Sequence, residues 1–161
     1  MQHLEWAQAF VQDLPSWLQW AGIGLIAAVP FIESYLGSAI GVAIGIHPIV
    51  AVAVAIAGNT ASMLILVLSA SRVRGRIVGN KDTTRSPRRQ KLAALFNRYG
   101  VAGVSLIGQT VLPSQITSAA MVSFGASRTR VIVWQIISIT LWGIAFGTIA
   151  TLGLQLISAT K

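Results

Sequence analysis

Residues 30–48 read PFIESYLGSAIGVAIGIHP, and the fold turns on whether this stretch crosses a membrane or enters one and returns. Glu33 is its only acidic residue, and it opens and closes on proline. Gly37, Gly41 and Gly45 recur every fourth residue, which puts them on one helical stripe where another backbone can approach closely. Proline removes a donor from the helix ladder and breaks it. An ionisable group at membrane depth is costly unless it faces a cavity or a partner. A continuous span needs about 20 apolar residues without such interruptions. Residues 21–46, which also hold Gly22 and Gly24, therefore read as a helical hairpin. Backbone of that kind is tolerated inside a membrane only where protein or water covers it.

The composition sets this hairpin in a membrane. The 161 residues are 54% hydrophobic and 10% charged, with mean hydropathy +0.71, against about 25% charged for a soluble domain. Too few polar groups exist to cover a soluble surface, so a soluble globule is excluded. The net charge of +8 is concentrated between Arg72 and Arg98, where nine basic residues face only Asp82. Elsewhere Arg128, Arg130 and Lys161 balance Glu5, Asp13 and Glu33. A basic loop over 72–98 in an otherwise neutral apolar body follows the positive-inside rule, which assigns it to the cytoplasm. The expected setting is a bacterial plasma (inner) membrane, crossed more than once. Nucleic-acid binding, the usual reading of a Lys/Arg run, is not expected, because topology already explains the charge. The chain has no cysteine, which excludes disulfides and thiolate metal sites. Its first residues carry no positive segment, so no cleaved signal peptide is expected.

Around the first hairpin the chain divides as follows. Residues 1–19 read as an amphipathic interfacial helix, with Glu5, Gln8 and Gln12 on one face and Leu4, Ala7, Val11 and Leu14 on another. Trp6, Phe10, Trp17 and Trp20 supply aromatic anchors. Residues 49–71 and 131–154 each fit a full span. Residues 99–126 hold Pro113 among Gln109, Thr110, Ser114, Gln115, Thr117 and Ser118, and read as a second hairpin. The expected fold is thus all-α, with two re-entrant hairpins and two full spans; a plain four-span bundle is the alternative. The four-span version puts Arg128 and Arg130 outside, against the charge rule. In the re-entrant version each half, 20–71 and 99–154, is a hairpin, a glycine corner and a span, a possible inverted repeat of the kind that encloses transporter sites.

Glu33 is the only acid between Asp13 and Asp82. A carboxyl that gains and loses a proton inside the apolar body can couple proton movement to solute movement; the plainer reading is a group satisfying unwound backbone. The 109–118 cluster carries no charge, so it suits hydrogen bonding to a substrate or to the carbonyls freed at Pro113. Asn59 interrupts the first span and needs a partner. Arg128 and Arg130 fit an interfacial anchor or a phosphate clamp on a lipid head group. Gly143 and Gly147 repeat the glycine spacing and, like Gly37, Gly41 and Gly45, predict close helix packing within or between protomers. The chain has no carboxylate pair or phosphate loop, and its two histidines are far apart. It is therefore read as neither an enzyme nor a metal or cofactor protein.

The run from Pro30 to Gly45, with Gly45-Ile-His-Pro48, Gly58-Asn59 and Arg98-Tyr-Gly100, resembles the motifs of the small multidrug export protein family. The likeness covers most of residues 20–154. That family is in turn similar to the DedA-like membrane transporters, with two opposed re-entrant hairpins and links to proton-dependent lipid or drug transport. Two positions depart from the pattern: Tyr35 stands where the family carries arginine, and Pro113 lacks a second proline beside it. The resemblance implies a proton-coupled exporter of small amphipathic or cationic compounds, with Glu33 carrying the proton and membrane lipids as its surroundings; a homodimer is expected because two full spans enclose little on their own. Translocation of phosphate-bearing lipids and a non-transporting membrane scaffold are the other readings.

Overall fold

The computed structural model describes residues 2–77, 87–109 and 112–160, all of whose regular elements are helical. In chain order these are α1 (Gln2–Gln12), a 3-10 turn (Ser16–Leu18), α2 (Gln19–Ala27), α3 (Glu33–Ala43), α4 (Pro48–Ile77), α5 (Pro87–Gly108), α6 (Ser114–Ser123) and α7 (Arg128–Ala159). Among the described residues, α4 over Pro48–Ser69 and α7 are long and apolar enough to cross a membrane. Helix α5 breaks at Gly100 (φ 65°, ψ −165°), leaving a second arm over 101–108. At about 1.5 Å per residue, α2, α3, this arm and α6 each extend well short of the roughly 30 Å hydrocarbon thickness.

The basic segment is not simply a loop. Helix α4 runs on to Ile77 and α5 starts at Pro87; residues 88–95 consist of Arg, Gln, Lys, Leu and Ala, strong helix formers whatever their charge. Residues 78–86, at its centre, lie outside the described residues.

The chain forms two compact units. Unit 1 is Met1–Ala61 with Ile139–Lys161; unit 2 is Ser62–Ser138. They differ from the halves 20–71 and 99–154, because each hairpin groups with the first part of the long helix that follows it and with the far part of the other.

In unit 1 the glycines decide the packing. A Cβ on Gly37 would lie 2.8 Å from the Ala27 Cβ and 3.3 Å from that of Ala55, and one on Gly41 2.7 Å from that of Ala51. Helix α3 therefore rests between α2 and α4 and runs opposite to α4. Gly143 lies against Ile56 and Ser34, and Gly147 against Val52 and Ser38, so α7 runs antiparallel to α4 here. Gly37, Gly41, Gly143 and Gly147 are thus filled by contacts inside the protomer, whereas Gly45, expected to pack with them, has no heavy atom within 4 Å of its Cβ position and serves the corner after α3 instead. Helix α1 shows the same economy. Its expected membrane-facing stripe turns inward: Ala7 and Val11 are fully buried, with Val11 and Leu14 against Gly22. The outward side carries Trp6 and Phe10, 45% and 40% exposed. A protein groove lined by glycine offers an apolar stripe closer contact than lipid does.

One corner occurs twice. After α3, the Gly45 N–H bonds to the Val42 carbonyl and the Ile46 N–H to that of Gly41; after α6, the Gly125 N–H bonds to Val122 and the Ala126 N–H to Met121. This is the Schellman pattern, which needs a left-handed residue, supplied by Gly45 (φ 93°) and Gly125 (φ 103°). The next helix then starts with the Ala51 N–H on His47 and the Val131 N–H on Ser127. The two sets stand 80 positions apart (125 − 45). No heavy atom lies within 4 Å of a Cβ on either glycine, so alanine there meets only backbone strain. G45A and G125A are each expected to cost about 1–2 kcal/mol, read as a lowered melting temperature in detergent.

Candidate functional site

The buried polar residues fall into two groups, one in each unit. In unit 1, Glu33, Ser34, Ser38 and Asn59 are all fully buried. The turn between α2 and α3 presents Glu33. Its backbone N–H, like that of Ile32, bonds to the Val29 carbonyl. Phe31 (φ 76°) and Glu33 (φ 53°) are the non-glycine residues of positive φ among those described. Such conformations cost about 1–3 kcal/mol and gather at functional turns. Glu33 is the first residue of α3, where the helix dipole favours a negative charge. Beside it, the Ser34 hydroxyl donates to the Ile139 carbonyl at 2.8 Å, tying α3 to α7. Tyr35 packs edge-on to Phe146, with ring centroids 5.3 Å apart, and Trp142 follows at 5.9 Å. The Tyr35 hydroxyl donates to the Phe31 carbonyl, so Tyr35 closes the strained turn.

In unit 2 the proline break behaves as its chemistry requires. Pro113 is extended (φ −53°, ψ 145°) immediately before α6. The Thr117 hydroxyl donates to the Leu112 carbonyl at 3.2 Å, and the Ser118 hydroxyl to that of Ser114. These two side chains thus satisfy backbone at the break. Gln115, fully buried, donates to the Ser62 hydroxyl on α4 at 3.0 Å, and Ser114 lies beside it. Gln109 is 8% exposed, and neither its amide nitrogen nor its amide oxygen has a hydrogen-bond partner. Thr110 lies outside the described residues.

Arg128 and Arg130 are exposed in the first turn of α7. In unit 1, α4 and α7 also leave an open groove of about 540 Å³ lined by Val52, Ile56, Ile144, Gly147 and Thr148. None of the polar residues chosen from sequence as a substrate site lines it. Among the described residues, no group of three or more His, Cys, Asp or Glu could hold a metal ion.

Sequence reading passed over five buried polar side chains, Ser34, Ser38, Ser105, Gln135 and Ser138. Ser34 and Ser38 recur as Ser114 and Ser118 at the 80-residue shift (114 − 34), a signal visible only once the corners fix the register. Gln135 and Ser138 lie in the buried face of α7. Gln135 breaks an apolar run as Asn59 does, but so near the start of the expected span that it reads as interfacial. The Ser138 hydroxyl donates to the Ser105 carbonyl at 2.7 Å. Its counterpart 80 positions earlier (138 − 58), Gly58, is the place where α4 meets the Gly24 carbonyl directly. No family model, curated protein or solved structure matches the chain.

Proposed function

We propose that this chain is a small integral membrane transporter of the small multidrug export type, exporting small amphipathic or cationic compounds in exchange for protons. The observation that carries this reading is Glu33: a fully buried carboxyl on a strained turn, at the tip of a hairpin whose arms are too short to span. A buried acid at membrane depth is a functional group by default, and coupling needs one that exchanges its proton. Both hairpins enter the membrane and return, as an inverted repeat around α4 and α7, and the protein works as a homodimer in a bacterial plasma membrane with residues 72–98 in the cytoplasm. The aromatic side of α1, with Trp17 and Trp20, sits at the membrane interface.

Proteoliposomes test the transport reading. Acid-inside vesicles should take up a cationic dye with the wild-type chain and not with E33Q; dye uptake equal in the two sinks it. Topology has its own test. A single cysteine at position 128 should react with impermeant reagents from the cytoplasmic side, and labelling from outside would end the re-entrant reading.

A second reading, leaflet exchange of phosphate-bearing lipids, is favoured by Arg128 and Arg130. A cation in the first turn of a helix opposes the dipole, so an external phosphate is its natural counter-charge. If lipid is the cargo, R128Q/R130Q should slow exchange of a labelled phospholipid at least tenfold and leave dye uptake within twofold. A scaffold role gains if neither activity appears.

A further inference from the structure

Unit 2 contains a row of buried neutral groups that the proposed function does not use. Ser105 and Gln135 are fully buried and Gln109 is nine-tenths buried. The Ser105 hydroxyl and both amide atoms of Gln109 and Gln135 have no hydrogen-bond partner. Buried polar atoms are almost always satisfied, by protein or by ordered water. Five such atoms on three residues in one unit point to something that satisfies them.

Their order along the fold says what fits. The chain reverses between the second arm of α5 and α6, and again at the Gly125 corner. The Gly45 corner, with the same hydrogen bonds, turns α4 antiparallel to α3. The second arm of α5 and the start of α7 therefore run the same way, joined where the Ser138 hydroxyl meets the Ser105 carbonyl. Residues three and four apart share a helix face. Gln135 thus lies one turn before the crossing, the Ser105 hydroxyl at it, and Gln109 one turn after. The row extends over about 10 Å, with a donor and an acceptor at every step and no charged side chain in it. An ion would be left without a counter-charge. A fatty or aromatic solute would leave all five atoms unsatisfied. Water, which donates and accepts, meets each requirement.

We propose that a file of water runs along the seam between the second arm of α5 and the first turns of α7, held by Gln135, Ser105 and Gln109. It makes this seam of unit 2 a solvated strip between two helices. The inference stands on unit 2 alone and holds whether or not the chain transports.

The absence of native cysteine makes the test direct. S105C and Q135C, each the sole cysteine in the full-length chain in detergent or liposomes, are exposed to a small water-soluble methanethiosulfonate. V104C and V131C serve as dry controls, since Val104 and Val131 are 1% and 0% exposed on the same two helices. Modification at 105 and 135 is expected to be at least tenfold faster than at 104 and 131. Adding Q135L to S105C should slow labelling at 105 by a similar factor, because leucine interrupts the file. Equal rates at the four positions would overturn the proposal. S105C changes only oxygen to sulfur and carries the test alone if Q135C fails to fold.

Discussion

A single methyl group at position 58 is expected to force α2 and α4 apart. Its carbon would fall within contact distance of the Gly24 carbonyl oxygen and 2.8 Å from that residue's carbonyl carbon. Both obstacles are backbone, so no rotamer change relieves them. Nor can α2 swing outward freely, since α3 locks against it through Gly37 on Ala27 and Gly41 on Ile23. Overpacking of this kind costs about 3 kcal/mol, which for a chain of this size is a fall of roughly 10 °C in melting temperature. G58A should therefore melt well below wild type in detergent, and G153A supplies the contrast. No heavy atom lies within 4 Å of a Cβ there, and alanine is the better helix former by about 1 kcal/mol, so G153A should melt at or above wild type. The corresponding position in unit 2 already carries a side chain, Ser138, whose hydroxyl bridges the crossing. If G58A melts with wild type, the direct backbone approach at Gly58 is wrong.

The second large effect is functional. E33Q is expected to abolish proton-driven dye uptake, leaving less than a tenth of the wild-type rate, while the melting temperature moves by a few degrees at most. Glutamine keeps the size and hydrogen-bonding reach of glutamate and removes only the exchangeable proton. The strained backbone supplies a further check. Acids with short side chains tolerate positive φ better than most residues, so E33D keeps both the turn and the proton. It should retain a substantial part of the uptake. Loss of uptake in E33Q and E33D alike, with intact folding, would show that side-chain reach governs the site, and proton exchange would lose its support.

The break of residues 21–46 into two short helices was legible in the sequence because Pro30, Glu33 and the spaced glycines each contradict one continuous helix, and each contradiction is local. The long apolar helix over 49–71 was legible for the opposite reason, an apolar run long enough to need no context. Three things were not. The helical nature of residues 72–77 and 87–98 was hidden because the reading there rested on charge, which says little about helix propensity. The inward turn of Ala7 and Val11 was hidden because an amphipathic pattern shows that a face is buried and not what buries it. Ser105, Gln135 and Ser138 were hidden because their relation depends on two helices crossing 33 residues apart in sequence, a distance that periodicity does not reach. The register between the corners escaped notice for a related reason. Over residues 33–59 and 113–139 it preserves Ser34, Ser38, Ala39, Val42, Gly45 and Ile56, too sparse a set to align without the hydrogen bonds.

The paired corners make the chain its own replicate. Gly45 and Gly125 are held by the same bonds in the same order, so the local backbone asks the same of both. Identical substitutions there, measured in one protein under one condition, share every systematic error of preparation and detergent. Any difference between G45A and G125A therefore reports the neighbourhood of each corner and nothing else. Few proteins allow the contribution of context to be obtained by subtraction inside a single molecule.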